Sequence, residues 1–266
     1  MTPKVKICGI STANDYIICR DAGAGWTGMV YYPGSSRHLD LSGLAALADC
    51  ADSIGSDAPE RVLLSVDIVG EKLMPIIEAA RPDMLQLHGK ETCRDVADIK
   101  ARTGLPVIKA IAVETAADLY QCAKWDNLAD WLLFDAKVKA GSQPGGTGHQ
   151  FDWTILANYR GQLPWMLAGG LDRNNVASAI KICAAKAVDV SSGVESYPGK
   201  KDAEQIHAFI RRSNRMEVAR RLDHARPVAL GTQRIEAVNA STNRAQIGHE
   251  LAKRAAFGQE WGLVYR

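Results

Sequence analysis

The sequence predicts an α/β protein, a single parallel (β/α)8 barrel of the TIM type with a C-terminal extension, and three observations predict it. Eight short apolar runs alternate with eight segments of helical spacing. Most of the apolar runs are continuous rather than alternating, as strands covered by helices on one face and packed inside a barrel on the other require. The stretch that holds them, residues 1–214, has the size of one compact barrel. Alternation by itself also fits an open, doubly wound sheet. Near-equal units with polar or Gly-rich residues after many of the strands favour closure.

The strands are predicted at 5–8, 28–32, 62–67, 84–87, 107–110, 131–135, 165–168 and 187–191. The helices between and after them are predicted at 12–22, 41–52, 72–80, 92–103, 115–124, 152–159, 175–184 and 202–212. Several begin with Ser, Thr, Asp or Asn, whose side chains cap the orphan amides of a first turn. After residue 214 the pattern changes. Helical spacing persists at 217–224 and 246–256, separated by Pro227, Gly231 and a polar stretch at 239–243. This extension, 215–266, is not a ninth repeat; it is expected to be partly helical or disordered, and a docked pair of helices or a partner-binding element are the other readings.

Composition narrows the function. With 47% hydrophobic residues the chain can bury a large core. Thirty-two Lys and Arg against 30 Asp and Glu leave a formal charge of +2, which lacks the concentrated basic field that nucleic-acid binding demands. The extension holds nine Lys or Arg and five Asp or Glu, so residues 1–214 are slightly acidic. No apolar run approaches membrane-spanning length, and Met1-Thr2-Pro3-Lys4 opens without a signal-like apolar segment. The expectation is a soluble cytoplasmic protein with neither a membrane nor a nucleic acid as partner.

The six cysteines carry no C-x-x-C pair, so neither a zinc knuckle nor a thioredoxin motif can be read. Five of them, Cys19, Cys50, Cys93, Cys122 and Cys183, fall in predicted helices, where a cysteine serves as a small buried hydrophobe. Cys8 differs. It ends the first strand in Lys6-Ile7-Cys8-Gly9-Ile10, just before a helix start at Ser11-Thr12. A helix N-terminus or a nearby cation there would lower the thiol pKa and supply a thiolate base; the other reading is a cysteine packed at a strand end.

In a barrel, chemistry gathers on the loops after the strands. Asp135, in Leu132-Leu133-Phe134-Asp135-Ala136, ends an apolar strand where a carboxylate is costly to bury, so it faces a partner or substrate, or else caps its loop. Strands one and six lie three steps apart around the barrel, which would place Cys8 and Asp135 on different sides of one mouth, suited to a base and an acid acting on one small sugar. His88, in Gln86-Leu87-His88-Gly89, stands either against substrate or hydrogen-bonded within the mouth. Lys6 and Lys109 pose the choice between functional ammonium and buried ion pair, with Asp67 and Asp189 as partners. Three Gly-rich sites follow, Gly145-Gly146-Thr147-Gly148, Gly169-Gly170 and Ser192-Gly193; together they suggest a phosphate site, as barrels often form with the loops after strands seven and eight.

Lys-Ile-Cys-Gly-Ile, Gln-Leu-His-Gly, Phe-Asp-Ala, Gly-Gly-Thr-Gly followed by Phe-Asp-Trp, Leu-Ala-Gly-Gly-Leu and Asp-Val-Ser-Ser-Gly-Val-Glu with Pro-Gly-Lys-Lys-Asp beyond it occur in one order over about residues 4–212. In these motifs the chain resembles the phosphoribosylanthranilate isomerase family of tryptophan biosynthesis. The resemblance implies that Cys8 is the general base, Asp135 the general acid, and Gly146, Thr147, Gly169, Gly170, Ser192 and Gly193 the phosphate-binding loops. It implies that Arg37 meets the anthranilate carboxylate, although the family commonly reads Ser-Pro-Arg where this chain reads Ser35-Ser36-Arg37. His88 and Asp189 are expected beside the substrate. Residues 62–67 also depart from the family's usual third strand, and the extension has no counterpart in the family core.

The implied reaction is the Amadori rearrangement of a phosphorylated aminoribose, with no metal or cofactor, carried out by a monomer or homodimer. Two rivals remain at this stage. One is another phosphosugar isomerase barrel of the histidine-pathway type, which uses a pair of aspartates; Cys8 argues against it. The other is a non-catalytic phosphate-ligand-binding barrel, against which the Cys8/Asp135 pair speaks.

Overall fold

The computed structural model of the protein describes residues 2–137 and 151–224, without the side chains of 215–224. Eight strands close into a barrel in chain order, every neighbouring pair parallel. They are β1 (Lys4–Cys8), β2 (Trp26–Tyr31), β3 (Glu60–Ser65), β4 (Met84–Leu87), β5 (Val107–Val113), β6 (Trp131–Ala136), β7 (Trp165–Leu167) and β8 (Ala187–Val190). A short antiparallel hairpin, β9 (Glu195–Tyr197) with β10 (Lys200–Lys201), follows. The α-helices are α1 (Ala13–Ala22), α2 (Leu41–Ile54), α3 (Met74–Ala80), α4 (Cys93–Thr103), α5 (Val176–Cys183) and α6 (Ala203–His224).

Each predicted strand is present. Two predicted helices are 3-10 helices instead, Ala116–Trp125 and Trp153–Asn158, and α3 is preceded by a 3-10 turn, Gly70–Leu73. Residues three apart share a face in both forms, so the same apolar spacing fits either. The helix predicted at 202–212 runs on to His224, past the change in composition at 214. The predictions for residues 225–266, and those for Gly146 and Thr147, lie outside the described residues. No helix among the described residues is long and apolar enough to cross a membrane.

The period of two along a strand sorts its side chains between two cores. On β1, Val5 and Ile7 join the core between strands and helices, whereas Cys8 belongs to a small cluster inside the barrel with Val30 and Leu64. On β6, Leu132 and Phe134 face the helices and Leu133 faces the lumen. Below the mouth the lumen is filled by Trp26, Val62, Met84, Ile108, Leu133, Met166, Ala168 and Ala187. Burying such side chains stabilises by roughly 1.5–3 kcal/mol each, and the filled floor makes the barrel a cup open only where the strands end.

Capping fixes the helices against that cup. Thr12 with Asp15, and Thr92 with Asp95, form reciprocal capping boxes at α1 and α4, and Asp40 caps α2 through the Gly43 amide. Gly23 and Gly104 end α1 and α4 in the left-handed conformation that costs glycine least.

Candidate active site

The strand period that sends Cys8 into the lumen also brings Lys6 there, two residues below. Lys6 pairs in register with Asp189 of β8, and its ammonium lies 2.9 Å from the Asp189 carboxylate with no exposed surface. Cys8 pairs with Gly28 of β2. A Cβ at Gly28 would stand 2.8 Å from the Cys8 sulfur and 3.0 Å from Lys6 Nζ. The missing side chain is therefore the space that thiol and ammonium share.

Burial pushes the Cys8 thiol above its ordinary value, Lys6 pulls it down, Asp189 pushes it up, and the net direction is up. The expected cation stands beside the thiol, but the predicted net lowering is corrected: desolvation outweighs the attraction. For Lys6, burial acts downward while Asp189 and Cys8 act upward, and the net direction is up. The two groups thus support one another's charged forms.

Across the mouth, Asp135 ends β6. Its Oδ1 accepts from the Ala136 amide at 2.8 Å, and its Oδ2 lies 3.3 Å from His88 Nε2. His88 Nδ1 in turn stands 2.9 Å from Gln86 Nε2. Gln86 and His88, two apart on the lumen face at the end of β4, make a short polar relay that sets the aspartate's orientation.

The third wall comes from the loop after β2. Arg37 forms a bidentate pair with Glu195, both bonds 2.7 Å, and Glu195 also receives Lys201 Nζ at 2.6 Å. Lys201 further donates to the Ser191 carbonyl at 3.0 Å. Burial pushes the Glu195 carboxyl up, but Arg37 and Lys201 together hold it below the ordinary range. Gly9, at φ +74, leaves room for the Arg37 side chain to lie against the backbone. Cys8, Arg37, His88, Asp135 and Asp189 line one cavity with Tyr32, Gln86 and Ser191.

The remaining predictions divide. Gly169 and Gly170 have φ of +85 and +64, the left-handed region that favours glycine. A Cβ at Gly169 would stand 2.6 Å from the Ala136 nitrogen and 3.1 Å from Asp135 Oδ1, so this turn packs directly behind the aspartate. Gly193, in the 3-10 turn Ser192–Val194, fits against the Leu171 carbonyl and Asp172 and so joins the loops after β7 and β8. Asp189 is at the cavity with one oxygen engaged by Lys6.

The pairing expected between Asp67 and the lysines is not made. Lys109 pairs with Glu91 at 2.9 Å. Asp67, at φ +54, accepts the Lys90 amide at 2.5 Å and gives its own amide to Glu91, tying two loops together. Sequence reading missed Glu195, Lys201 and Glu91. The first two sit inside the Val-Glu and Pro-Gly-Lys-Lys motifs, so a tally of unpaired charges near the mouth could have found them. Among the described residues, no group of three His, Cys, Asp or Glu is placed to hold a metal ion.

Residues 5–212 match the family model described as N-(5'phosphoribosyl)anthranilate (PRA) isomerase. The chain is similar to the N-(5'-phosphoribosyl)anthranilate isomerase of Nitrobacter winogradskyi, with 48% identity over 82% of this chain and 95% of that protein. Its similarity to the isomerase of Parvibaculum lavamentivorans is 45%, over 81% of this chain and all of the relative. Among solved structures, the phosphoribosyl anthranilate isomerase of Thermotoga maritima aligns with a TM-score of 0.71 and 33% identity, covering 79% of this chain and 98% of that one. A further isomerase structure, in complex with reduced 1-(o-carboxyphenylamino)-1-deoxyribulose 5-phosphate, aligns at a TM-score of 0.68 and 31% identity, covering 79% of this chain and 98% of that one. With a closed barrel, a thiol and a carboxyl at one cavity, and a match over nearly the whole barrel, the chain belongs to the N-(5'-phosphoribosyl)anthranilate isomerase family.

Proposed function

We propose that this protein catalyses the Amadori rearrangement of N-(5'-phosphoribosyl)anthranilate to 1-(2-carboxyphenylamino)-1-deoxyribulose 5-phosphate, a step of tryptophan biosynthesis, in the cytoplasm. The observation that carries it is the cavity that Cys8, Arg37 and Asp135 line together. Asp135, protonated, gives its proton to the furanose ring oxygen as the C1'–O bond opens, which leaves an iminium on the anthranilate nitrogen. Cys8 as thiolate then takes the C2' proton, and the electron pair moves to the iminium nitrogen. The neutral enolamine that results tautomerises to the ketose, and exchange with water returns the proton from Cys8 to Asp135. General acid–base catalysis by such a pair is worth about 10²–10⁴ in rate per group.

Arg37 is the cation at this wall for the substrate carboxylate, and the joined loops bearing Gly169, Gly170, Ser192 and Gly193 are the phosphate site. Gly146 and Thr147, from the loop after β6, complete it by the family resemblance. Anchoring the phosphate away from the reacting carbons orients the sugar between base and acid.

The test is turnover of the anthranilate substrate by purified protein, followed through loss of its fluorescence. Cys8→Ala and Asp135→Asn are each expected to lose at least about a thousandfold in kcat while keeping the wild-type circular dichroism. Near-normal rates in either folded variant would remove the corresponding role. For the phosphate site, Ser192→Asp is the cleaner probe than a change at Gly169, whose φ and contact with Ala136 leave no place for a side chain. Like-charge repulsion at Ser192→Asp is expected to raise KM about tenfold or more; an unchanged KM would argue against phosphate there.

A further inference from the structure

We propose that Lys6 is the positioning residue of this site: held by Asp189 under the space left by Gly28, it keeps the Cys8 sulfur in place and ionisable. The proposal rests on Cys8 acting as the base and adds how a buried thiol can do so.

Lys6 has no exposed surface, and its ammonium donates to Asp189 Oδ1 at 2.9 Å. Its ammonium has three protons. One goes to that carboxylate, and the sulfur shares the space beside the ammonium: both atoms lie within 3.0 Å of the point where a Gly28 Cβ would stand, and a hydrogen bond from Lys6 favours the charged form of the thiol. The strand pairing explains why: Lys6 and Cys8 share the lumen face of β1, Asp189 is in register with Lys6, and Gly28 is in register with Cys8. Four residues on three strands thus make one packed unit.

Other charges reach the thiol from different elements. Lys201 of β10 and Arg37 from the loop after β2 act with Lys6, whereas Asp189 acts against it. Arg37 and Lys201 share Glu195, which cancels much of their effect. His88 and Asp135 stand at the same cavity, paired with one another. Among these cations Lys6 acts on the thiol through a hydrogen bond as well as through its charge, whereas Lys201 acts through charge. Desolvation opposes the thiolate, as the upward direction of the thiol records, and the ammonium is what limits that penalty.

The test reads Cys8 rather than turnover. The full chain and Lys6→Met are treated with iodoacetamide across a range of pH, and modification of the Cys8 peptide is followed by mass spectrometry. Loss of a cation in contact is expected to move the alkylation midpoint upward by at least about one pH unit and to lower kcat by tenfold or more, with KM within about threefold. If Lys6→Met does not fold with Asp189 left unpaired, Lys6→Met with Asp189→Asn keeps a neutral pair of similar shape, and its midpoint is expected above wild type. An unchanged or lowered midpoint in whichever variant folds overturns the proposal. Active Cys8→Ala would remove the base reading on which it rests, and the alkylation profile separates that failure from a failure of Lys6 itself.

Discussion

Two of the buried lysines, Lys6 and Lys109, stand on strands of the barrel, and they do different work. Lys109 of β5 spends its protons on the Leu87 and Gly89 carbonyls at 3.1 and 2.8 Å and on Glu91 at 2.9 Å. It ties the end of β4 and the loop beyond to β5. Lys6 is equally buried but is bonded to one carboxylate oxygen and stands beside the Cys8 thiol. Burial and ion pairing are the same in both; the number of protons committed to the backbone differs. A saturated ammonium is a strut, and an unsaturated one can serve chemistry.

The largest effect should therefore be on stability and at Lys109. Lys109→Met takes the cation from Glu91 and a donor from the Leu87, Gly89 and Ala110 carbonyls, so unfolding by urea is expected to show a loss of about 3–5 kcal/mol. Any activity that survives in the folded fraction should keep a wild-type pH profile. A loss under about 1 kcal/mol would put Lys109 outside the class of struts. Lys6→Met should show the reverse balance, a shift in the Cys8 profile beyond what its change in stability accounts for.

Next in size is the third wall, where Glu195 stands between two cations much as Asp189 stands beside one. Glu195→Gln removes the bidentate partner of Arg37 and leaves its guanidinium free to wander, so KM is expected to rise about tenfold while kcat changes less than about threefold. The same variant carries a pH signature. Glu195 titrates below its ordinary value of about 4.3 because Arg37 and Lys201 hold its charged form. A carboxyl depressed on folding contributes stability that is present in full above the unfolded value and is lost as pH falls through the lower, folded value. Urea midpoints of the wild type should accordingly fall more steeply below about pH 4.3 than those of Glu195→Gln, and run parallel to them above it. Parallel curves throughout would mean that Glu195 has no depressed titration.

These contrasts also show what one chain of letters can disclose. The strands were legible because a barrel strand buried on both faces must be apolar nearly throughout, as in Leu132, Leu133 and Phe134. Cys8, His88 and Asp135 were legible because each is a polar residue ending such a run, and a period of two then settles which face it takes. Glu195 and Lys201 were not. Their meaning lies in a pairing with Arg37 across more than 150 residues of chain, and no local pattern encodes which cation a buried carboxylate will meet. Lys109 was open for the same reason: its partner Glu91 lies 18 residues back along the chain, while Asp67, in a left-handed turn, gives its carboxylate to a backbone amide instead. The 3-10 helices were beyond reach because their side-chain spacing, in segments this short, is scarcely distinguishable from that of an α-helix.

The smallest expected effect bears on the strut rather than the site. Thr92 follows Glu91 directly, and its capping box with Asp95 fixes where α4 begins, hence where Glu91 leaves the loop toward Lys109. Thr92→Ala removes a hydroxyl that accepts the Asp95 amide at 3.3 Å and donates to its carboxylate at 2.7 Å. An N-cap of this kind is worth about 1 kcal/mol. Because the cap acts on the scaffold that holds Lys109 and touches nothing at the cavity, the free energy of unfolding in urea should drop by that amount with kcat and KM both unchanged. Turnover that fell while stability held would mean that the loop after β4 reaches the chemistry, and the division between strut and site drawn from the two lysines would no longer stand.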